Sequence, residues 1–253
     1  TTSLSANNNF SVPGRTASFF GRLSYTLNDR YLFTGTFRAD GSSKFAPNNR
    51  WGYFPAGAFA WRLSEEPFMA VAKDWLSNLK VRLSYGTSGS DNINSNLWRE
   101  TWSSLSSSSN HTPINGELGS FYRPDGLLAN SDLKWETTIT RNIGLDFGFF
   151  RNRLSGTVDV YWNTTKDLLV PSIIPNSSGY SRQMTNVGQT SNKGVEISLD
   201  AKIIQTKDFQ LSANFNVAFN KNKVDKLATG ETEWKTKASL SNWYGTYNYK
   251  MEV

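Results

Sequence analysis

Hydrophobic and polar residues alternate along much of the chain with a period of two. The clearest stretch runs from Phe209 to Asn220, where Phe209 and every second residue up to Phe219 are hydrophobic and the intervening residues, except Ala218, are polar. Successive side chains of a β-strand point to opposite faces, so this pattern predicts strands with one apolar and one polar face. We predict eight such strands, at residues 17–27, 31–40, 51–63, 79–86, 135–150, 154–168, 190–203 and 209–221.

The connections between the predicted strands alternate between short and long. The short turns are 28–30, 151–153 and 204–208, and the long polar loops are 41–50, 87–134, 169–189 and 222 onward. Segment 64–78 breaks this alternation, and its Ser64, Glu66 and Pro67 predict a short helix there. Short connections at one end of a sheet and long ones at the other are typical of outer-membrane barrels. We therefore expect the short turns and segment 64–78 on the periplasmic side and the long loops outside.

Alternation alone is compatible with two architectures. In a soluble β-sandwich the apolar face points into the core, whereas in a membrane barrel it points to lipid. The polar faces here carry both signs of charge, and aromatic residues such as Trp51, Tyr53 and Trp135 lie near strand ends, as in the interfacial girdles of barrels. Both features favour the barrel.

The barrel interpretation assigns side chains to two environments. The residues expected to face lipid are Val160, Ile197, Leu199, Leu211, Phe215 and Val217. The residues expected to face the lumen are Arg22, Arg38, Asp40, Arg82, Asp146, Asp159, Glu196 and Asp200.

Composition excludes several classes of protein. Among 253 residues there is no cysteine and a single histidine, His111, which excludes disulfide frameworks, zinc ribbons and thiol chemistry. The net charge is +6, but Lys and Arg are spread over every segment, so no nucleic-acid interface is expected. No pattern predicts a catalytic constellation, a metal site or a cofactor, and we expect the protein not to be an enzyme.

The strongest local binding signal lies in loop 87–134. Loops this long without regular structure are usually functional, and this one combines aromatic rings with many Ser, Gly and Asn residues. Such a mixture suits sugars or peptides, although the rings are equally suited to packing the loop onto its neighbours. The candidates for contact with substrate or partner are Trp98, Arg99, Trp102, Tyr122, Arg123 and Asp125.

A series of longer motifs resembles one family of transporters. The motifs are FGRLSY at 20–25, DRYL at 29–32, RADGSSKF at 38–45, RWGYFP at 50–55, WRLSEEPF at 61–68, LKVRLSYG at 79–86, NSDLKWE at 130–136, NVG at 186–188 and NKGVE at 192–196. In order and spacing they resemble the SusC/RagA family of TonB-linked outer-membrane transporters of Bacteroidetes, from about residue 17 to the end of the chain.

The resemblance implies a barrel of 22 strands in the bacterial outer membrane, closed by an N-terminal plug domain. It also implies import of glycans or peptides, energy supplied through TonB, and a SusD-like surface lipoprotein over the extracellular loops. Residues 1–253 are then expected to form a single region, an internal portion of the barrel without the plug, and TonB is expected to act through an N-terminal part that this chain lacks.

Three functions stay open on the residues alone. The first is nutrient import as part of a SusC-like barrel. The second is carbohydrate binding by a soluble β-sandwich that uses its Trp-rich loops, and the third is a structural or adhesive role for a complete small outer-membrane barrel.

Overall fold

The computed structural model describes residues 14–105, 121–124, 127–180, 182–226, 236–238 and 247–249. The described part is mainly β-structure. Its strands are β1 (Thr16–Leu27), β2 (Tyr31–Ser42), β3 (Trp51–Arg62), β4 (Leu76–Ser90), β5 (Trp102–Leu105), β6 (Phe121–Pro124), β7 (Leu127–Leu128), β8 (Glu136–Phe149), β9 (Leu154–Lys166), β10 (Leu169–Ile173), β11 (Arg182–Asn186), β12 (Gln189–Gln205), β13 (Gln210–Lys226), β14 (Thr236–Ala238) and β15 (Tyr247–Tyr249). Short 3-10 helices span Pro47–Asn49, Leu63–Glu65, Pro67–Ala72 and Asn176–Ser178.

Eight long strands form one antiparallel sheet in the order β1-β2-β3-β4-β8-β9-β12-β13. These are the eight strands that the alternation predicts, and each pairs with the next long strand along the chain. The sheet is open, with β1 and β13 at its two edges. A complete eight-stranded barrel would require β1 to pair with β13, and in the described part of the chain these two strands do not pair.

At mid-sheet, the strand register places hydrophobic side chains on one face and mainly polar side chains on the other. Val81, Leu145, Val158, Ile197 and Val217 are successive cross-strand partners and so lie on one face. We call this the apolar face, and the opposite one the polar face. All six predicted lipid-facing residues lie on the apolar face. Five of them share the register of this row or of the rows beside it, and Leu211 lies on the same face by alternation along β13.

The apolar face is open rather than packed against a second layer. The side chain of Phe215 is 57% exposed and that of Phe219 is 65% exposed. In a soluble β-sandwich these rings would be buried between two sheets. A large exposed apolar surface requires an apolar partner, and a bilayer supplies one to an outer-membrane barrel.

Two hairpins close as the sequence predicts. Asn28 and Asp29 both adopt positive φ angles, of 52° and 54°, and the Arg30 amide donates to the Leu27 carbonyl at 3.1 Å. Positive φ at both central residues defines a type I′ turn, which Asn and Asp tolerate well and which matches the twist of paired strands. The turn after β8 also has positive φ at its two central residues, Arg151 and Asn152, and the preceding Phe150 has positive φ as well.

The connection from β3 to β4 contains the predicted helix as two 3-10 turns, with Pro67 at the start of the second. Its Glu66 is buried, and the carboxylate accepts hydrogen bonds from Tyr31 Oη at 2.7 Å and Trp61 Nε1 at 2.9 Å. The hydrogen bond from Tyr31 is the main cause of a lowered pKa of Glu66. These contacts fix the connection against the rim of the apolar face.

The long strands exceed their predicted bounds chiefly at the long-connection end of the sheet. β4 continues to Ser90 rather than 86, and β13 continues to Lys226 rather than 221. Loop 87–134 correspondingly begins later than predicted, and the described part of it contains β5, β6 and β7. Among the described residues, no helix is long and apolar enough to cross a membrane.

Candidate functional site

The eight residues predicted to face the lumen all lie on the polar face. Arg38 on β2 is the cross-strand partner of Phe54 on β3, and both lie on the polar face. Arg82, Asp159 and Glu196 lie in one row of partners on the same face, which extends to Ala218 on β13. Arg22, Asp40, Asp146 and Asp200 occupy the same face by strand alternation. The structure thus brings the predicted charges onto one surface.

An ion-pair network occupies the middle of this face. The Arg82 guanidinium donates to Asp146 at 2.8 Å and to Asp159 at 2.9 Å, and Lys80 Nζ lies 2.7 Å from Asp146. Asn142 Nδ2 donates to the second oxygen of Asp159 at 2.8 Å. The network spans β4, β8 and β9, so it holds three strands in register as well as balancing their charges.

Gly144 provides the space that this network needs. It pairs directly with both Arg82 and Asp159 on the polar face. A Cβ atom at this position would lie 2.6 Å from Asp159 Oδ1 and 2.7 Å from Arg82 Cζ. Any larger residue would therefore displace the guanidinium from between its two carboxylates.

The remaining predicted lumen residues differ in their surroundings. Arg38 contacts Asp40 through two hydrogen bonds, of 3.0 and 2.8 Å, a bidentate geometry that suits a guanidinium and a carboxylate. Asp200 accepts a hydrogen bond from Asn214. Arg22 and Glu196 are exposed.

The buried core lies among the long connections, against the polar face at that end of the sheet. Phe45 and Leu133 are completely buried, and Ile93 joins them. The Trp135 ring packs at 5.5 Å from Phe45 and 5.7 Å from Phe54, which belongs to the polar face of β3. We call Phe45, Phe54, Ile93, Leu133 and Trp135 the mouth cluster, because they cover the polar face at its long-connection end.

The position of Trp135 corrects one expectation. The sequence placed Trp135 in an interfacial aromatic girdle, but its ring lies inside the mouth cluster and its Nε1 donates to the Arg50 carbonyl at 2.9 Å. Trp51 and Tyr53 do lie on the apolar face, where they stack on Phe19 and Phe37. Trp135 precedes β8, and its packing and hydrogen-bonding partners come from the neighbouring loop and from β3, so its ring is held within the mouth cluster.

Polar contacts tie the loops of this region together. Ser42 Oγ donates to Asp91 at 2.7 Å, and Lys44 Nζ lies 3.6 Å from the same carboxylate. Asn130 Nδ2 donates to the Met184 carbonyl, and Asn186 Nδ2 donates to the Lys134 carbonyl, both at 2.8 Å. Side-chain amides bonded to backbone carbonyls of distant loops fix those loops as one layer above the sheet.

Two of the predicted contact residues of loop 87–134, Trp98 and Arg99, follow Leu97, whose carbonyl accepts a hydrogen bond from the Asn130 amide of this layer. Trp98 is half-buried, and the Arg99 guanidinium lies 5.8 Å from its ring centre. Trp102 is 57% exposed and begins β5, whose partner β6 contains the backbone of Tyr122 and Arg123. The sixth candidate, Asp125, lies outside the described residues.

One further contact was not predicted from the sequence. Tyr180 Oη donates to Glu100 at 2.9 Å and links the loop after β10 to the segment before β5. This hydrogen bond is the main cause of a raised pKa of the Tyr180 hydroxyl. No local pattern signals such a pair, since the two residues are 80 positions apart. Among the described residues, no cluster of carboxylates or histidines is suited to a metal ion.

An antiparallel sheet with an exposed apolar face and an ion-paired polar face has the arrangement found in the wall of a membrane β-barrel. The family model described as TonB dependent receptor-like, beta-barrel, matches residues 1–250, and the chain belongs to this family. It is a SusC-like β-barrel protein of the outer membrane.

Two relatives and one solved structure illustrate the similarity. The chain is 42% identical over 215 residues to the TonB-dependent receptor SusC of Bacteroides thetaiotaomicron, covering 85% of this chain and 21% of the relative. It is 38% identical over 214 residues to the TonB-dependent receptor P3 of Formosa agariphila, with coverage of 85% and 21%. The structure of the RagAB peptide importer in its closed-closed state matches with a TM-score of 0.78 and 30% identity, over 93% of this chain and 25% of that one. The chain thus spans about a fifth to a quarter of the length of these proteins.

Proposed function

We propose that the chain is a wall segment of an outer-membrane importer that takes up large nutrients, glycans or peptides, with energy supplied through TonB. The observation that carries this proposal is the separation of the two faces of the eight-stranded sheet. An exposed apolar face fits lipid, and an ion-paired polar face fits the lumen of a wide barrel. The relatives are described as receptors and an importer, which supports transport rather than catalysis.

The assembly requires parts beyond this chain. We assign the TonB contact and the plug to an N-terminal part of the full-length transporter, as the family resemblance implies. We further assign a SusD-like surface lipoprotein as the partner over the mouth cluster, where the long loops form one layer. The RagAB structure is described as a peptide importer, so a peptide substrate is supported by one relative. The Trp-rich layer suits a glycan equally well.

Aromatic and charged residues of loop 87–134 are the proposed contacts with substrate or lipoprotein. Trp102 is exposed, and Arg99 over Trp98 presents a planar cation beside an aromatic surface. Aromatic rings supply contact area at modest entropic cost, and neighbouring Ser, Gly and Asn supply hydrogen bonds. The remaining proposed contacts on this loop are Tyr122, Arg123 and Asp125.

Deletion of residues 100–122 from the full-length transporter is expected to impair uptake or capture of the lipoprotein. The deletion removes Trp102 and Tyr122 but leaves the mouth cluster and all eight wall strands in place. Heat-modifiable migration checks barrel assembly, and substrate uptake and co-purification of the lipoprotein measure function. Normal uptake together with normal capture by an assembled deletion variant would contradict this role.

The orientation of the wall makes a separate prediction. A cysteine placed at Asn152, in the exposed turn after β8, is expected to resist a membrane-impermeant maleimide in intact cells. The same reagent is expected to label a cysteine at Ser177, an exposed residue of the long connection between β10 and β11. Rapid labelling at position 152 in intact cells, without labelling of a periplasmic marker, would reverse the orientation.

A further inference from the structure

On the long-connection side of β4, β8, β9, β12 and β13, the apolar face ends at a row of cationic and aromatic side chains. Tyr85, Arg141, Trp162, Lys193 and Lys221 are successive cross-strand partners on β4, β8, β9, β12 and β13. The Arg141 guanidinium lies 5.9 Å from the Tyr85 ring centre. We call these five residues the basic row.

The basic row marks a boundary on this face. The row on the mid-sheet side consists of Leu83, Ile143, Val160, Val195 and Phe219. The row on the loop side consists of Thr87, Ile139, Thr164, Ser191 and Lys223. Charges on the lipid side of a barrel are far more costly at the bilayer midplane than at the interface. The change from apolar to polar residues therefore places the basic row at the level of the lipid head groups.

Charge at and beyond this boundary is strongly one-sided. On β8, β9, β12 and β13 the register assigns six basic residues to this part of the face, against one carboxylate, Asp225, to which Ser191 Oγ donates at 3.0 Å. The six are Arg141, Lys166, Lys193, Lys221, Lys223 and Lys226. The Lys side chains among them are exposed, so their ammonium groups are available to a ligand.

A groove runs from the basic row into the apolar band. Its volume is about 510 Å³, and its lining includes Val160, Trp162, Val195 and Phe219, with Lys193 and Lys221 at the boundary row. Such a shape accommodates a hydrocarbon chain whose anionic head reaches the two ammonium groups.

We propose that this groove and the basic row bind a phosphorylated lipid of the outer leaflet. Its head-group phosphate lies between Lys193 and Lys221, with Arg141 adding positive charge along the row, and an acyl chain occupies the groove. Two observations identify the occupant: the excess of basic residues complements a phosphate, and the groove continues the lipid-facing surface. A lipid with a neutral head group would leave the basic row without a counter-charge.

Lipid binding by the purified full-length transporter tests this proposal. Native mass spectrometry measures binding of monophosphoryl lipid A and of the same lipid after removal of its phosphate. The R141Q/K193Q/K221Q variant is expected to bind monophosphoryl lipid A on the order of 100-fold more weakly than wild type, since each basic residue near an anionic surface contributes roughly fivefold. The phosphate-free lipid is expected to bind wild type at least about tenfold more weakly, by the same reasoning.

A matched control removes three positive charges at the opposite end of the sheet. The R151Q/R153Q/K207Q variant is expected to bind the phosphorylated lipid like wild type. Heat-modifiable migration checks assembly, and if the triple variant fails to assemble, K193Q alone is expected to lose roughly fivefold. Equal binding by wild type and R141Q/K193Q/K221Q, or equal binding of the two lipids, would overturn the proposal. Cysteine labelling at position 152 tests the orientation of the sheet independently. A failure of the lipid-binding proposal can therefore be distinguished from a failure of the proposed orientation.

Discussion

The Ile197→Arg variant of the full-length transporter is expected to lose about 2–4 kcal/mol of unfolding free energy in a bilayer. Ile197 lies at mid-sheet on the apolar face, between Val158 and Val217 on the neighbouring strands. A guanidinium there must leave water for hydrocarbon, with no acidic partner in the adjoining rows. Urea-dependent unfolding from phospholipid vesicles measures the loss.

The neighbouring position on the same strand provides the control. Ser198 points to the polar face, where it donates a hydrogen bond to Asn216 at 2.6 Å. Ser198→Arg is expected to cost about 0.5 kcal/mol or less, as for an exposed polar site. Because the two substitutions differ only in the face that receives the charge, equal losses would refute a bilayer on the apolar face.

Phe45→Ala is expected to cost about 3–5 kcal/mol. The ring is completely buried and contacts Trp135, so its removal leaves a cavity between loops that hydrogen bonds hold in place. The loss is expected to fall on the loop layer rather than on the wall, because the wall strands pair through their own backbones. Limited proteolysis of the full-length transporter measures the loss of stability in the loops, and its unfolding measures the loss in the eight-stranded sheet.

Phe45→Leu is the matched variant, since it keeps an apolar side chain in the same space. It is expected to cost about 1 kcal/mol and to leave the loops resistant to protease. If Phe45→Ala is as stable and as protease-resistant as wild type, the mouth cluster does not hold the long loops together.

The eight-stranded sheet was predictable from the sequence because it depends on features of neighbouring residues. Alternation fixes the face of each residue, and turn residues such as Asn28 and Asp29 fix the hairpins without reference to distant parts of the chain. The ends of β4 and β13 were less predictable for a specific reason. The apolar signal stops near Tyr85 and Lys221, whereas backbone pairing continues to Ser90 and Lys226.

The loop layer was not predictable from local pattern. Strands such as β7 and β11 are only two and five residues long. Beside them, the side chains of Asn130 and Asn186 bond to carbonyls that are distant in the sequence. The same reason explains the misassigned Trp135. The polar face was predictable in part. Its charged residues were predicted from the sequence, but the pairing of Arg82 with Asp159, 77 residues away, follows only from the strand order.

A spin-label scan along β13 of the full-length transporter in phospholipid nanodiscs tests the central claim most directly. Single labels at positions 211 to 219 are compared for collision with oxygen, which concentrates in lipid, and with a water-soluble nickel chelate. The predicted result is a period of two, with oxygen favoured at Leu211, Phe215 and Val217 and not at Ser212, Asn214 or Asn216. Uniform access of the nickel chelate to both sets, or shielding of Phe215 from both reagents, would contradict a wall whose apolar face meets lipid.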